Sequence, residues 1–167
     1  MISDRIQEAI NEQINEEFES AYLYLAFSSH LDNQNLKGFA HWMRHQWEEE
    51  IEHGLKLYDH LLRRGGQANL AAINKPESDA DTAEEFFEEV LAHERHITKC
   101  INELYELAKE ERDNPLQNLL QWFIDEQVEE EENAEEILEK LRLIGDHGPN
   151  LFLLDQELGQ RTEDDHE

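Results

Sequence analysis

The chain has little of what breaks helices, cross-links loops or carries positive charge. Among its 167 residues, seven are glycine, three are proline and one is cysteine. A single cysteine excludes a disulfide framework, a thiolate zinc site and a rubredoxin-type cysteine pair. We interpret that residue, Cys100, as a small packing residue rather than a nucleophile. Strong helix formers dominate and β-branched residues are sparse, so the composition predicts a helical protein.

Basic residues are also scarce, and this limits the possible partners. Lysine and arginine total 14 against 41 aspartates and glutamates, a net charge of −27. Such a charge argues against binding nucleic acid or an anionic membrane, and it favours cations as partners. An ordinary acidic surface is the alternative reading. No apolar run has the length of a signal peptide or a membrane span, so we expect no membrane partner and a cytoplasmic protein.

Capping and breaking residues divide the chain into five predicted helices. Gly65 and Gly66 end the second helix, and the spacing of Thr82 and Glu85 is that of a capping box. Asn114 is the expected N-cap of a helix whose first residue is Pro115. The predicted helices span about 3–31, 36–64, 82–112, 115–144 and 150–159. Together they form one domain over residues 1–160, followed by a polar tail at 161–167.

The lengths of the connections predict the topology of the bundle. A helix of about 28 residues is about 42 Å long, and an extended linker of about 17 residues reaches about 56 Å. The segment between the second and third helices is thus long enough to run the length of the bundle, whereas antiparallel neighbours need only a few residues. We therefore predict an all-α fold: a four-helix bundle with one long crossover between its second and third helices, plus a short fifth helix.

Carboxylates interrupt the apolar stripe of each long helix near its middle. Apolar residues recur there every three or four positions, as on a buried helix face. The interrupting residues are Glu17, Glu50, Glu94 and Glu130, and Glu50 is followed three residues later by His53. Because an uncompensated carboxylate in a core costs several kcal/mol, we infer that the four converge on metal. The alternatives are surface acids on misassigned faces and an ordinary core histidine.

The donor types indicate which metal such a site prefers. Several carboxylates and one imidazole suit a pair of iron or manganese ions, with zinc as a further possibility. Gln127 shares the stripe of Glu130 and either binds metal weakly or holds a water or ligand by a hydrogen bond. Tyr24 shares the stripe of Glu17, where it either donates a hydrogen bond or an electron near the metals or simply packs.

These motifs together resemble the non-haem ferritins of bacteria and archaea. The resemblance covers almost the whole chain and rests on Glu17, Tyr24, the segment Trp47–His53, Glu94, the segment Leu120–Phe123, Glu126–Gln127, Glu129–Glu130 and the fifth helix. It implies a ferritin-like fold with a first iron held by Glu17, Glu50 and His53. It also implies a second iron held by Glu50, Glu94 and Glu130 with Gln127 beside it, and a third held by Glu49, Glu126, Glu129 and Glu130.

The resemblance also implies a function. Ferritins of this kind oxidise Fe(II) with dioxygen or hydrogen peroxide and store ferric mineral inside a hollow homo-oligomeric shell, usually of twenty-four subunits. We expect no haem, because Ile51 stands where a bacterioferritin has its haem-binding methionine. A di-iron or di-manganese oxidoreductase that stores nothing and a metal-free acidic bundle are the two rival hypotheses.

Overall fold

A computed structural model describes residues 2–145 and 148–162, and these residues form five α-helices. The helices are α1 Asp4–Asn33, α2 Lys37–Arg63, α3 Ala83–Glu110, α4 Asn114–Ile144 and α5 Gly148–Leu158. Each predicted helix bound lies within two residues of the observed one. Over the described residues, no helix combines the length and the apolar character that a membrane crossing requires. Residues 163–167 of the predicted polar tail lie outside the described part of the chain.

Local capping explains where the long helices begin. The Ser3 hydroxyl accepts the Ile6 amide before α1, and Thr82 with Glu85 forms the predicted capping box before α3. The predicted N-cap of α4 was wrong by one residue: Asp113, not Asn114, accepts the helix amide. The Asp113 carboxylate also carries the negative charge that pairs with Arg64, whereas the amide of Asn114 is neutral.

One ion pair joins the end of α2 to the start of α4. Arg64, just past α2, donates two hydrogen bonds of 2.8 and 3.0 Å to Asp113 at the start of α4. Partial burial raises the pKa of Asp113, but the hydrogen bonds from Arg64 and from the Leu116 amide outweigh this and lower the pKa overall. A bidentate pair of this kind is among the stronger charged contacts.

The contacts between helices establish the predicted crossover topology. α1 and α2 form one hairpin, since Ser28 contacts Ala40, and α3 and α4 form another, since Thr98 contacts Glu131. The end of α2 lies against the start of α4, so these two helices are antiparallel and α2 runs parallel to α3. The connection between α2 and α3 therefore travels the length of the bundle, as its length predicts.

This crossover lies along α1 and is held by polar side chains. Asn11 donates to the carbonyl of Gln67 at 3.0 Å and accepts the amide of Asn69 at 2.7 Å. Further along, Glu19 accepts the side-chain amide of Asn74 at 2.9 Å. Side chains of α1 thus supply some of the hydrogen bonds that the backbone of this irregular segment does not make within a helix or a sheet.

Two apolar clusters fill the bundle, one toward each end. One contains Phe27, Phe39 and Phe87, and the other contains Ile10, Leu57 and other aliphatic residues. Between them lies a layer of buried polar side chains. Six residues of this layer were singled out from the sequence, and each is at most 4% exposed: Glu17, Glu50, His53, Glu94, Gln127 and Glu130.

The fifth helix caps the second. The Asp155 carboxylate accepts the backbone amides of Gly38 and Phe39 at 2.8 and 3.0 Å. Residue 36, the N-cap position of α2, offers no side-chain hydrogen bond of its own, so Asp155 supplies the missing cap from a distant part of the chain.

Arg161, the first residue of the predicted polar tail, packs against the bundle. Its side chain is only 8% exposed, stacks over the Trp42 ring at 4.9 Å and pairs with Glu49 at 2.8 Å. The guanidinium stacks well on an aromatic face and still reaches a carboxylate, which explains why a charged residue packs here.

Candidate metal centre

The first hairpin brings together three side chains that could hold a metal ion. Glu17 on α1 and Glu50 and His53 on α2 each offer a ligand atom, and these atoms lie within 4.8 Å of one another. His53 Nδ1 lies 3.5 Å from Glu50 Oε2 and 3.9 Å from Glu17 Oε2. Glu50 and His53 are three residues apart on one helix, so they share a face.

The second hairpin contributes the remaining acids, which are held by hydrogen bonds. The Tyr24 hydroxyl donates to Glu94 Oε1, and Gln127 Nε2 donates to Glu94 Oε2 at 3.2 Å. Gln46 Nε2 donates to Glu130 Oε2 at 2.7 Å. The donors in these three hydrogen bonds are thus neutral amide or hydroxyl groups, not basic side chains.

Several oxygen atoms of the layer have no hydrogen-bond partner. Within the described residues, these buried atoms are Glu17 Oε2, Glu50 Oε2, Glu130 Oε1 and Gln46 Oε1. A buried acceptor without a donor costs about 1–3 kcal/mol, and more when it is charged. Glu17 and Glu50 can share a proton between their carboxyl groups. No amide or hydroxyl donor of the described residues reaches these three carboxylate oxygens, an arrangement that suits a bound cation.

Burial and mutual repulsion raise the pKa values of the acids. Burial is the main cause for Glu50 and Glu130, whose pKa values are raised well above the ordinary value, with further contributions from the charge of Glu94. Burial also raises the pKa of Glu94 to about 7, although the hydrogen bonds from Tyr24 and Gln127 oppose the shift. Without metal, these carboxyl groups hold protons at a pH where surface glutamates have lost them.

In the first hairpin, the neighbours of Glu17 partly oppose the effect of its burial. Burial raises the pKa of Glu17, while His53 and the amide of Gln13 lower it. Gln13 Nε2 donates to Glu17 Oε1 at 2.7 Å, which leaves Oε2 free to face His53. The layer is therefore set up for oxygen coordination with a single nitrogen, a donor set typical of iron, manganese or zinc.

Tyr24 is a buried, neutral hydrogen-bond donor. Burial and then the charge of Glu94 raise its pKa well above the ordinary value, so the phenol keeps its proton. Its ring packs edge-on against Trp42 and His93 at 6.4 and 6.5 Å. The structure therefore gives Tyr24 both a polar contact with Glu94 and a packing role.

Two of the four residues suggested for a third iron, Glu49 and Glu126, line a cleft outside the buried layer. The cleft has a volume of about 340 Å³, and its lining includes Glu49, Glu126 and His53. Glu126 Oε1 lies 3.9 Å from His53 Nε2, whereas Glu49 pairs with Arg161. Glu129 is exposed and is not part of the lining. The third site stays a prediction.

Sequence reasoning assigned no role to two amides that orient ligands. Gln13 and Gln46 are 3% and 0% exposed, and each lies four residues before a buried glutamate of its own helix. That spacing is the available signal, because residues four apart stack on one helix face. Gln13 contacts Glu17 directly, whereas Gln46 reaches across the bundle to Glu130.

Comparisons with known proteins agree with this architecture. A family model described as a ferritin-like domain matches residues 7–144. A bacterial non-heme ferritin of Bacteroides fragilis (strain 638R) is 42% identical over 161 residues, covering 96% of this chain and 100% of that protein. Another, of Staphylococcus aureus (strain USA300), is 36% identical over 165 residues, covering 99% of each.

A solved structure shares the fold as well as the sequence. A crystal structure described as a novel open pore ferritin from the hyperthermophilic archaeon Archaeoglobus fulgidus superposes with a TM-score of 0.95. It is 48% identical and the match covers 97% of this chain and 100% of that one. The helix order, the polar layer and these matches lead to one assignment: the chain belongs to the ferritin family, among the non-haem ferritins of bacteria and archaea.

Proposed function

We propose that this protein stores iron and oxidises it on entry. Fe(II) binds in the buried layer of each subunit, where Glu17, Glu50 and His53 hold one ion and Glu50, Glu94 and Glu130 hold a second. Two Fe(II) ions each give up one electron, and dioxygen takes both electrons and two protons to leave as hydrogen peroxide. Hydrogen peroxide is the alternative oxidant, and it leaves as water.

The unpartnered oxygens of the layer are the observation that carries this proposal. Three carboxylate oxygens from α1, α2 and α4 are buried without a donor among the described residues. Carboxylates lower the cost of gathering positive charge, and they stabilise Fe(III) more than Fe(II) because the attraction grows with the charge of the ion. The donor set therefore favours the oxidised product.

Protons held by the acids take part in binding. With the pKa of Glu94 near 7 and those of Glu50 and Glu130 raised, an arriving Fe(II) displaces protons from the layer. Tyr24 and Gln127 keep Glu94 oriented throughout. In this proposal Gln127 acts as a positioning residue beside the second ion, because its amide nitrogen already donates to Glu94.

A third iron position extends the proposal toward the cleft. Glu126 lines the cleft beside His53. Glu129 and Glu130 follow it on α4 at spacings of three and four residues, which places them on the same helix face. Glu49 joins this set only if an ion displaces Arg161 from its carboxylate. The acids of this cleft then bind Fe(III) that leaves the buried layer, and from there the ion joins the growing mineral.

Storage also requires a closed assembly, which we propose is a homo-oligomer, with twenty-four subunits as its expected size. Large apolar side chains remain exposed on the single chain, including Leu70 and Ile73 of the crossover and Phe152 and Leu153 of α5. Apolar exposure of this kind marks interfaces between proteins. We propose that a second copy of this chain covers these exposed side chains.

Iron uptake by the assembled protein tests the proposal. Purified protein receives Fe(II) in air, and iron is assayed on the same size-exclusion peak whose mass is measured by light scattering. We expect a large hollow assembly that retains far more iron than the about two ions that one site holds. In Glu50→Ala, which removes the shared ligand, we expect initial oxidation to slow at least about tenfold.

Glu8→Gln is the matched control, because it removes an exposed acid from α1. It should oxidise and retain iron as the unaltered protein does. Retention of only about two ions per chain by the unaltered protein would instead identify an oxidoreductase that stores nothing. Equal oxidation by Glu50→Ala and the control would mean that the buried layer is not the site.

A further inference from the structure

A second set of metal-binding side chains lies on the surface shared by α1 and α3. Glu16 of α1 and His96 and Cys100 of α3 each offer a ligand atom, and these atoms lie within 4.8 Å of one another. Glu16 and Cys100 are half-buried and His96 is exposed. The set shares no residue with the candidate metal centre, although Glu16 directly precedes Glu17.

The side chain of His96 contacts both of the others. His96 Nε2 lies 2.8 Å from Glu16 Oε2 and 3.5 Å from Cys100 Sγ. His96 and Cys100 are four residues apart, so they stack on one face of α3. α1 supplies the carboxylate from the opposite side. One imidazole nitrogen therefore faces a carboxylate and a thiol at the same time.

These separations approach those of a tetrahedral zinc site. Zinc lies about 2.0 Å from a histidine nitrogen and about 2.3 Å from a cysteine sulfur, which places the two ligands about 3.5 Å apart. The observed distance from Nε2 to Sγ is 3.5 Å. The nitrogen and the carboxylate oxygen would need to separate by about half an ångström, and the side chain of Glu16 is 34% exposed and can move.

The surroundings favour a cation at this surface. Burial, followed by the charges of Glu16 and Glu103, raises the pKa of the Cys100 thiol to about 11. The thiol is therefore protonated at neutral pH, and a metal ion must displace this proton, as zinc does when it binds cysteine. The same negative charges that hold the proton also attract a divalent ion.

We propose that Glu16, His96 and Cys100 form a binding site for a borderline divalent cation such as Zn(II). One sulfur, one nitrogen and one oxygen suit zinc better than the hard, oxygen-rich set of the buried layer does. Three protein ligands leave the fourth position to water. The lone cysteine rules out a site made of thiolates alone, but it leaves this mixed set possible, and Cys100 becomes a ligand instead of a packing residue.

Cobalt spectroscopy tests the site directly. Co(II) replaces Zn(II) in tetrahedral sites, and a cysteine ligand produces a thiolate-to-cobalt charge-transfer absorption in the near ultraviolet. Because the chain has one cysteine, this absorption can come only from Cys100, even while Co(II) also occupies the buried layer. We expect the assembled protein to show the absorption and Zn(II) to abolish it by competition.

Three variants test the ligands, and two more serve as controls. Cys100→Ser should lose the absorption, and His96→Ala and Glu16→Gln should weaken Co(II) binding there at least about tenfold. Glu103→Gln is the matched control, since it removes an acid that acts on Cys100 through its charge without being a ligand, and it should keep the absorption and nearly all the affinity. Glu50→Ala should also keep it, which separates this site from the proposed iron centre.

Three results would overturn the proposal. The first is no thiolate absorption in the unaltered protein at saturating Co(II). The second is unchanged affinity in both His96→Ala and Glu16→Gln, which would leave a cysteine acting alone. The third is an equal loss in Glu103→Gln and Glu16→Gln, which would show that general negative charge, not ligation by Glu16, attracts the ion.

Discussion

At the residue scale, neutral amides hold the acids of the buried layer in place. Gln46 is fully buried, and its Nε2 donates to Glu130 while its Oε1 has no partner among the described residues. It therefore fixes the direction of a proposed ligand without adding charge. Groups that orient metal ligands in this way commonly affect metal affinity about 10–100-fold.

We predict that Gln46→Leu weakens metal binding without loss of folding. The side chain keeps a similar volume, Glu130 loses its donor, and one unsatisfied buried acceptor disappears, so the metal-free protein should be about as stable as before. Anaerobic calorimetric titration with Zn(II) or Fe(II) should show an affinity lower by about 10–100-fold. The same substitution at Gln121, which is exposed on α4, is the control, and equal affinities in both variants would contradict the role of Gln46.

The burial of the four acids could be predicted from sequence because they interrupt a regular apolar pattern. Glu17, Glu50, Glu94 and Glu130 occupy positions that helical spacing reserves for apolar residues, and all four are buried. The orienting contact of Gln46 could not be predicted in this way, because its partner is 84 residues away on a different helix. The pairing of Arg161 with Glu49 was missed for the same reason, as it joins residues 112 positions apart.

At the element scale, the helix bounds were largely predictable and the docking of α5 was not. Caps such as Thr82 with Glu85 act within one turn, so their signal is local in the sequence. The cap of α2 comes from Asp155, 117 residues after Gly38. Nothing near Gly38 in sequence indicates that another backbone lies against it.

We predict that Gly38→Ala displaces the fifth helix. A β-carbon at this position would lie 1.6 Å from the Asp155 carbonyl oxygen, so the backbone of α5 must shift. Overpacking of this kind costs about 1–3 kcal/mol. Thermal unfolding should show a lower Tm, and hydrogen exchange should be faster over residues 148–162.

Gly148→Ala is the control for that experiment. A β-carbon at Gly148 has no atom within 4 Å among the described residues, so this variant should unfold like the unaltered protein. If both variants kept the same Tm and exchange rates, the contact between α2 and α5 would not contribute to stability.

At the scale of the whole molecule, buried acids link stability to pH in an unusual direction. The pKa of Glu94 is raised from an ordinary value of 4.5 to about 7, and those of Glu50 and Glu130 are raised as well. Between these pH values the folded protein holds protons that the unfolded chain has released. Its stability without metal is thus greatest at the acidic end of this window and decreases as pH rises through it.

We predict that the metal-free protein becomes less stable between pH 5 and pH 7, by about 1.4 kcal/mol per pH unit for each additional proton held by the folded state. Denaturant unfolding in the presence of a chelator measures this slope. Glu94→Gln should flatten it, because an amide does not titrate. Saturating Zn(II) should reverse its sign, since the metal binds the deprotonated acids.

The control for the pH experiment is Glu8→Gln, which removes an exposed acid and leaves the buried layer intact. Its slope should match that of the unaltered protein. The net charge of −27 also destabilises the compact state as pH rises, so the comparison of variants, not the slope alone, isolates the layer. Identical slopes for Glu94→Gln and the control would mean that groups other than Glu94 cause the pH dependence of stability.

The buried layer draws its acids from both hairpins, and this has a consequence for how the subunit responds to damage. Glu17, Glu50 and His53 belong to the first hairpin, while Glu94, Gln127 and Glu130 belong to the second. An ion bound by residues of both hairpins would stabilise their association. A loss of metal affinity would therefore indicate that the two hairpins have separated. Substitutions between α1 and α3 that leave every proposed ligand in place should therefore lower the affinity for iron before they cause measurable unfolding.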